Sequence, residues 1–300
     1  MRRILSVITL TLLLAAPGCG GDDEKRDGGA LETYQAPEIE DPGPIHVHGL
    51  GVNPADDVLF IATHTGLFRS APGESTSERV GDSYQDTMGF TVIGPDRFLG
   101  SGHPGGGDDD RPPFLGLINS ADAGENWDEV SLMGEADFHV LEASGDRVYG
   151  FGSDWESREP VFLVSDNLGE SWEAKQPPEP LLSLAIAPDD PDLIVVAGER
   201  ALYRSRDGGD RWQTLDDGVG LLSWASSGEL YRVDGRGGVS ESSDEGESWR
   251  PRGRIDGQPA AFEVDGNDLY AALHDGTIKL STDGGRTWTV RSQPKPVVYG

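Results

Sequence analysis

The sequence predicts an all-β fold built from a repeated four-stranded antiparallel unit. Three observations carry this. A Ser-x-Asp-x-Gly-x-x-Trp phrase occurs five times, at residues 120–127, 165–172, 205–212, 242–249 and 281–288, with Asn167 replacing the Asp in the second copy. Its tryptophans, Trp127, Trp172, Trp212, Trp249 and Trp288, lie 45, 40, 37 and 39 residues apart, the regular period of a repeating supersecondary unit. The 300 residues include 42 Gly and 20 Pro, which implies many tight turns between short strands and few long helices.

The phrase suits a hairpin turn. A short acidic side chain accepts backbone N–H bonds across its own turn, and the Gly supplies a positive φ. Each copy follows an apolar strand and precedes a second strand expected to start at the Trp, which should tuck beneath the turn as a plug. Asp122, Asn167, Asp207, Asp244 and Asp283 are therefore read as turn-holding residues and not as catalysts. The five copies resemble the Asp-box, or BNR, repeat of sialidases, sortilin-type receptors and photosystem II assembly propellers. That resemblance implies a β-propeller, and the spacing leaves room for four strands per blade. Residues 46–80 form a further blade whose phrase has decayed to SAPGES, so six blades are expected within a domain at 45–300.

Ahead of the blades stands a leader. MRRILSVITLTLLLAAPGC has a basic start at Arg2 and Arg3 and an apolar run of about 13 residues, too short to span a membrane permanently, which reads as an export signal over residues 1–18. Ala16-Pro17-Gly18-Cys19 resembles a bacterial lipobox, in which Cys19 becomes the lipidated N-terminus. A lone cysteine cannot form an intrachain disulfide. Residues 19–44 carry Gly, Pro and charge but few large apolar side chains, the composition of a flexible tether. The expected address is outside the cytoplasmic membrane, with the membrane touched only through the lipid, and the expected state is a monomer. A net charge of −29 would repel nucleic acid and anionic lipid surfaces.

The six histidines have a pattern. In a meander a-b-c-d the repeated turns mark the c–d face, so the starts of strands a and the ends of strands b lie on the opposite face. His46 and His48 start strand a of blade 1, and His64 ends its strand b. His103 ends strand b of blade 2, His139 starts strand a of blade 3, and His274 ends strand b of blade 6. One arc of one face should thus hold His48, His64, His103 and His139 at its centre, with His46 and His274 peripheral. Three converging imidazoles suit zinc or copper, with Glu135 or Asp137 as oxygen donors or supporting partners; a solvated polar rim is the plain alternative.

The phrases HVHGLG, ATHTGLFRS, GSGHPG, LGLINSADAGENW and GEADFH together resemble a group of secreted bacterial lipoprotein propellers labelled glycosylhydrolase-like or sialidase-like. The resemblance implies the fold and an extracytoplasmic address; an activity has to come from the site. A sialidase needs an arginine triad, an acidic proton donor and a glutamate-activated tyrosine, and the Arg-Ile-Pro phrase near the start of such propellers is absent. Arg111, Arg158, Arg200 and Arg236 fall at or near b–c turns, and Glu135, Asp137 and Asp154 are the available carboxylates; Arg200 and Arg236 complete the catalytic candidates. Three functions follow: a module binding a metal or small polar ligand, a sialidase-like glycoside hydrolase acting on a glycan, and a scaffold for assembling another exported protein.

Overall fold

Each repeat folds as a four-stranded antiparallel meander. The computed structural model describes residues 41, 43–82, 84–106 and 110–294, and the leader with Cys19 lies outside them. Blade 1 is β1 (Val47–Asn53), β2 (Val58–Thr63), β3 (Gly66–Ser70) and β4 (Glu78–Arg79). Blade 2 is β5 (Asp86–Gly94), β6 (Arg97–His103), β7 (Leu117–Ser120) and β8 (Asp128–Ser131). Blade 3 follows as β9 (Ala136–Ser144), β10 (Arg147–Asp154), β11 (Pro160–Ser165) and β12 (Glu173–Lys175). Blade 4 comprises β13 (Leu181–Ala187), β14 (Asp190–Gly198), β15 (Leu202–Ser205) and β16 (Gln213–Thr214). Blade 5 comprises β17 (Leu221–Trp224), β18 (Leu230–Val233), β19 (Gly238–Ser242) and β20 (Arg250–Arg254). Blade 6 comprises β21 (Pro259–Asp265), β22 (Asp268–Leu273), β23 (Ile278–Ser281) and β24 (Thr289–Ser292). Each sheet holds four consecutive strands and no strand is exchanged between blades. First strands of consecutive blades touch all around, including β1 against β21, so the result is a closed six-bladed propeller. The described residues contain no helix.

Burial explains which strand takes which place. The second strands, such as VLFIAT and DLYAAL, are apolar almost throughout because neighbouring sheets cover both of their faces. The fourth strands are short and exposed, as outer edge strands must be to avoid pairing with another chain. Six apolar clusters each fill the gap between two consecutive blades. The one between blades 6 and 1 joins Val47, Leu59, Ile61 and Phe68 to Ala261, Tyr270 and Ile278.

All five Ser-x-Asp turns share one hydrogen-bond scheme. In the third copy Ser205 Oγ donates to Asp207 Oδ1 at 2.9 Å and accepts from Gly209 N at 2.8 Å, while Arg211 N donates to Asp207 Oδ1 at 2.9 Å. Asn167 keeps the scheme because only its Oδ1 is needed, accepting from Ser165 Oγ at 2.9 Å and Ser171 N at 3.0 Å. Hydrogen bonds from Ser248 and Ser242 lower the Asp244 carboxyl to about 2.

The tryptophans differ from the plug expectation in two ways. The fourth strand begins one residue after each Trp, and each indole is half-buried and packs on the preceding blade. Trp212 packs with Phe162 and Tyr149 of blade 3, and its Nε1 donates to Gln176 O at 3.1 Å. The outer edge strand that follows offers nothing underneath it, so the Trp just before it turns sideways onto the neighbouring sheet. Blade 1, without the phrase, is clamped from blade 6 instead: Arg291 donates to Ser70 O at 3.2 Å and also to the carbonyls of Ala71 and Glu74. Trp212→Ala is expected to cost about 2 to 3 kcal/mol in a denaturant melt, below the 3 to 5 of a fully buried large aromatic. An unchanged midpoint would refute the inter-blade role.

Candidate functional site

The site sits where the first strands enter the central channel. Five of the six first strands carry a bulge near their start, where the register skips His48, Met88, His139, Leu182 and Ala260. The extra residue cannot pair, so its side chain turns toward the axis. All five line one cavity of about 340 Å³ at the channel mouth, together with His46 and His274. Blades 1 and 3 place a histidine at this position, which brings His48 and His139 into the mouth.

Two residues before the bulge come Asp86 in blade 2 and Asp137 in blade 3. Both are buried, and the four histidines gather around them. His64 Nδ1 lies 2.8 Å from Asp86 Oδ2, and His48 Nε2 lies 3.6 Å from Asp86 Oδ1. His103 spans the pair, with Nδ1 3.3 Å from Asp86 Oδ2 and Nε2 3.4 Å from Asp137 Oδ2. His139 Nε2 approaches the same Asp137 Oδ2 at 2.9 Å. His46 stands outside, its ring 6.3 Å from that of His64, and His274 lines the mouth without joining the cluster among the described contacts.

The two aspartates are held by matching backbone contacts. Gly102 has φ +142, and a Cβ there would come within 2.0 Å of Asp86 O; a Cβ at Gly152 would come within 1.7 Å of Asp137 O. Only glycine permits so close an approach of two strands. Among the described residues Asp86 Oδ1, Asp137 Oδ1 and His48 Nε2 are buried with no hydrogen-bond partner. Such groups cost free energy unless a ligand completes them. Burial lowers the His48 pKa despite the nearby Asp86 charge, which keeps its ring neutral and its lone pair available. The hydrogen bond to Asp137 raises the His139 pKa against the effect of burial.

These groups fit a metal ion. One ligand atom from each of His48, His64 and Asp86 lies within 4.8 Å of the others. Tetrahedral zinc with bonds of about 2.0 Å separates its ligand atoms by about 3.3 Å, close to the His–Asp distances here. Asp86 was absent from the sequence candidates. Aligning Asp86-Thr87-Met88 with Asp137-Phe138-His139 at the two strand starts would have found it.

The catalytic candidates do not assemble. Glu135 is exposed and is held by its backbone, its N–H donating to Leu132 O at 2.9 Å and its carbonyl accepting from Trp155 N at 2.8 Å. Asp154 caps its own turn through Ser157 N and Oγ, both at 2.7 Å, and these bonds lower its pKa. Arg200 is taken by Glu179 at 2.7 Å, and Arg236 sits in a turn held by Asp234. Of the carboxylates named from sequence, only Asp137 joins the histidines. Beside His103 runs an aromatic ladder: Phe114 at 5.6 Å, Trp155 edge-on to Phe114 at 5.0 Å, and the Arg158 guanidinium 4.0 Å above Trp155.

Deeper in the channel, Glu142 and Glu263 line both the mouth cavity and a second one of about 220 Å³. Enclosure raises Glu142 to about 8 and raises Glu263 well above its usual range, with repulsion from Glu142 adding to the latter.

No family model matches the chain. It is 26% identical over 197 residues to the photosystem II assembly lipoprotein Ycf48 of a Synechococcus strain, a match covering 60% of this chain and 57% of that protein. A gluconolactonase from Xanthomonas campestris superposes with a TM-score of 0.61 at 14% identity, over 77% of this chain and 84% of that one. An ancestral GH74 enzyme superposes with a TM-score of 0.54 at 15% identity, over 80% of this chain and 37% of that one. At such identities the two structures establish a shared fold alone.

The channel glutamates make a pH test. A carboxyl whose pKa is raised on folding binds more protons in the native state, so stability falls as pH rises from the unfolded value of about 4.5 through about 8. Glu142→Gln removes that loss. Its melting temperature should exceed wild type near pH 9 and converge on it near pH 5; a constant difference across this range would show that Glu142 does not titrate in the channel.

Proposed function

We propose that this is an exported, lipid-anchored propeller that binds a divalent transition-metal ion at His48, His64 and Asp86 in its channel mouth, leaving an open coordination position for a small polar ligand. The carrying observation is the buried Asp86, whose Oδ1 has no hydrogen-bond partner and which faces the imidazoles of His48, His64 and His103. Mixed imidazole and carboxylate donors suit zinc or copper, not the all-oxygen shells of calcium or magnesium. The metal would act as a Lewis acid toward a ligand in the mouth. His48 and His64 would hold it, and Asp86 would balance its charge. Calorimetric titration with zinc at pH about 7.5 should give saturable binding. Binding should weaken by pH about 5.5 as the imidazoles protonate, and by at least about tenfold in Asp86→Asn. Equal and negligible heats for wild type and variant at both pH values would sink the reading.

A second reading, a scaffold for assembling another exported protein, is supported by the likeness to a relative named as an assembly lipoprotein. Tyr84 and Trp155, 57% and 39% exposed, flank the histidine face and offer a partner apolar contact beside the polar mouth. The lipid anchor rests on Cys19 behind its apolar run, and that relative is likewise named a lipoprotein. Expressed in its host, Cys19→Ser should move from the membrane fraction to the soluble exported fraction. A variant that stays membrane-bound with an uncleaved leader would mean an anchor of another kind.

A further inference from the structure

Sulfur is scarce in this chain, with one cysteine and three methionines in 300 residues. Met1 opens the leader and Met133 lies in the turn between β8 and β9. Met88 is different: it is the bulge residue of blade 2 and lines the mouth cavity with His48 and His139. We propose that the Met88 thioether is a fourth donor beside His48, His64 and Asp86 and makes the mouth selective for copper(I); this rests on the metal reading of that site and names the ion it takes.

Packing of the first strands puts Met88 next to those ligands. A Cβ at Gly49 of β1 would come within 3.1 Å of Phe90 Cβ in β5, and one at Gly51 within 2.5 Å of the Val92 side chain. Both pairs carry the same offset, so two residues earlier Val47 comes level with Met88. His48 is the extra residue that follows Val47, and the two bulge residues emerge side by side, each turned toward the axis. Asp86 stands two residues before Met88 on the same strand. Its Oδ1 lies 3.6 Å from His48 Nε2, and both atoms are buried without a hydrogen-bond partner. A methionine side chain has three rotatable bonds with which to bring its sulfur to that corner.

The donor types decide the ion. Thioether sulfur is soft and selects copper(I), whereas zinc is content with imidazole and carboxylate. Blades 4 and 6 fill the same bulge position with Leu182 and Ala260, which have no donor atom. Met88 fills space as a leucine would and adds a sulfur. Zinc bound by His48, His64 and Asp86 keeps its fourth position open to an oxygen or nitrogen ligand. Copper(I) takes the sulfur there.

The test compares two ions. Purified exported protein, stripped with a chelator, is titrated anaerobically with copper(I) in competition with a colorimetric copper(I) chelator, and with zinc by calorimetry. In Met88→Leu the ratio of copper(I) to zinc affinity should fall at least about tenfold, because the soft donor is gone. The melting temperature should stay near wild type, since leucine replaces methionine at nearly constant volume. X-ray absorption at the copper edge should show sulfur scattering in copper(I)-loaded wild type and none in the variant. The wild-type spectrum decides the matter even if the variant does not fold. An unchanged affinity ratio in Met88→Leu, or a wild-type spectrum without sulfur, overturns the role of Met88 and leaves the site at His48, His64 and Asp86 standing. Binding of neither ion to wild type overturns both readings.

Discussion

Apolar side-chain packing is what chiefly holds the six sheets to one another, with single hydrogen bonds such as Phe138 N to Ser101 Oγ and Val264 N to Ser223 Oγ pinning neighbouring blades. Among the described residues no strand crosses between blades, so the ring closes because the largely apolar second strands leave gaps that side chains from both neighbouring blades fill. The closing gap, between the last blade and the first, is made the same way as the other five and is strengthened where Arg291 binds the carbonyls that a Ser-x-Asp turn would otherwise organise. At about 25 cal/mol per Å² of buried apolar surface, these interfaces supply the main favourable term, and the turns keep the outer edges from unravelling.

That packing also decides where chemistry can occur. First strands crowd the axis and cannot all fit as flat ladders, and the bulges relieve the crowding by turning one residue per blade into the channel. In blades 4 and 6 the turned residues are Leu182 and Ala260, which offer no ligand atoms there. In blades 1 to 3 they are His48, Met88 and His139, with Asp86 and Asp137 close behind. One repeated backbone irregularity thus gives both an ordinary rim and a cluster of ligands, according to side chain alone.

The blades were legible in the sequence because the turn phrase spells out its own hydrogen bonds. Ser, Asp and Gly at fixed offsets are what the observed turn requires, and their spacing counts the blades, including the one that lost the phrase. The face shared by the histidines followed from strand parity. The direction of the tryptophans did not, because a side chain just ahead of an edge strand is placed by the neighbouring blade, which no local pattern describes. Asp86 was hidden for a related reason. A single aspartate at a strand start has no periodicity, and it becomes conspicuous only when the bulge places it behind Met88, between histidines drawn from two blades.

The metal and scaffold readings describe the same face at different scales. Asp86 and Asp137 carry charge into a setting where each keeps one oxygen without a partner, a cost tolerated where something outside the chain repays it. A metal ion would answer that charge at the bottom of the mouth, while Tyr84, Trp155 and the Arg158 stacked on it stand at the rim, too far out to be ligands and well placed to touch a larger molecule. A partner that reaches the mouth with a carboxylate or carbonyl would meet the metal's open position and the aromatic rim together. Its affinity would then depend on the metal, and the metal's retention on the partner, because two ligands that share one coordination shell are linked in both directions.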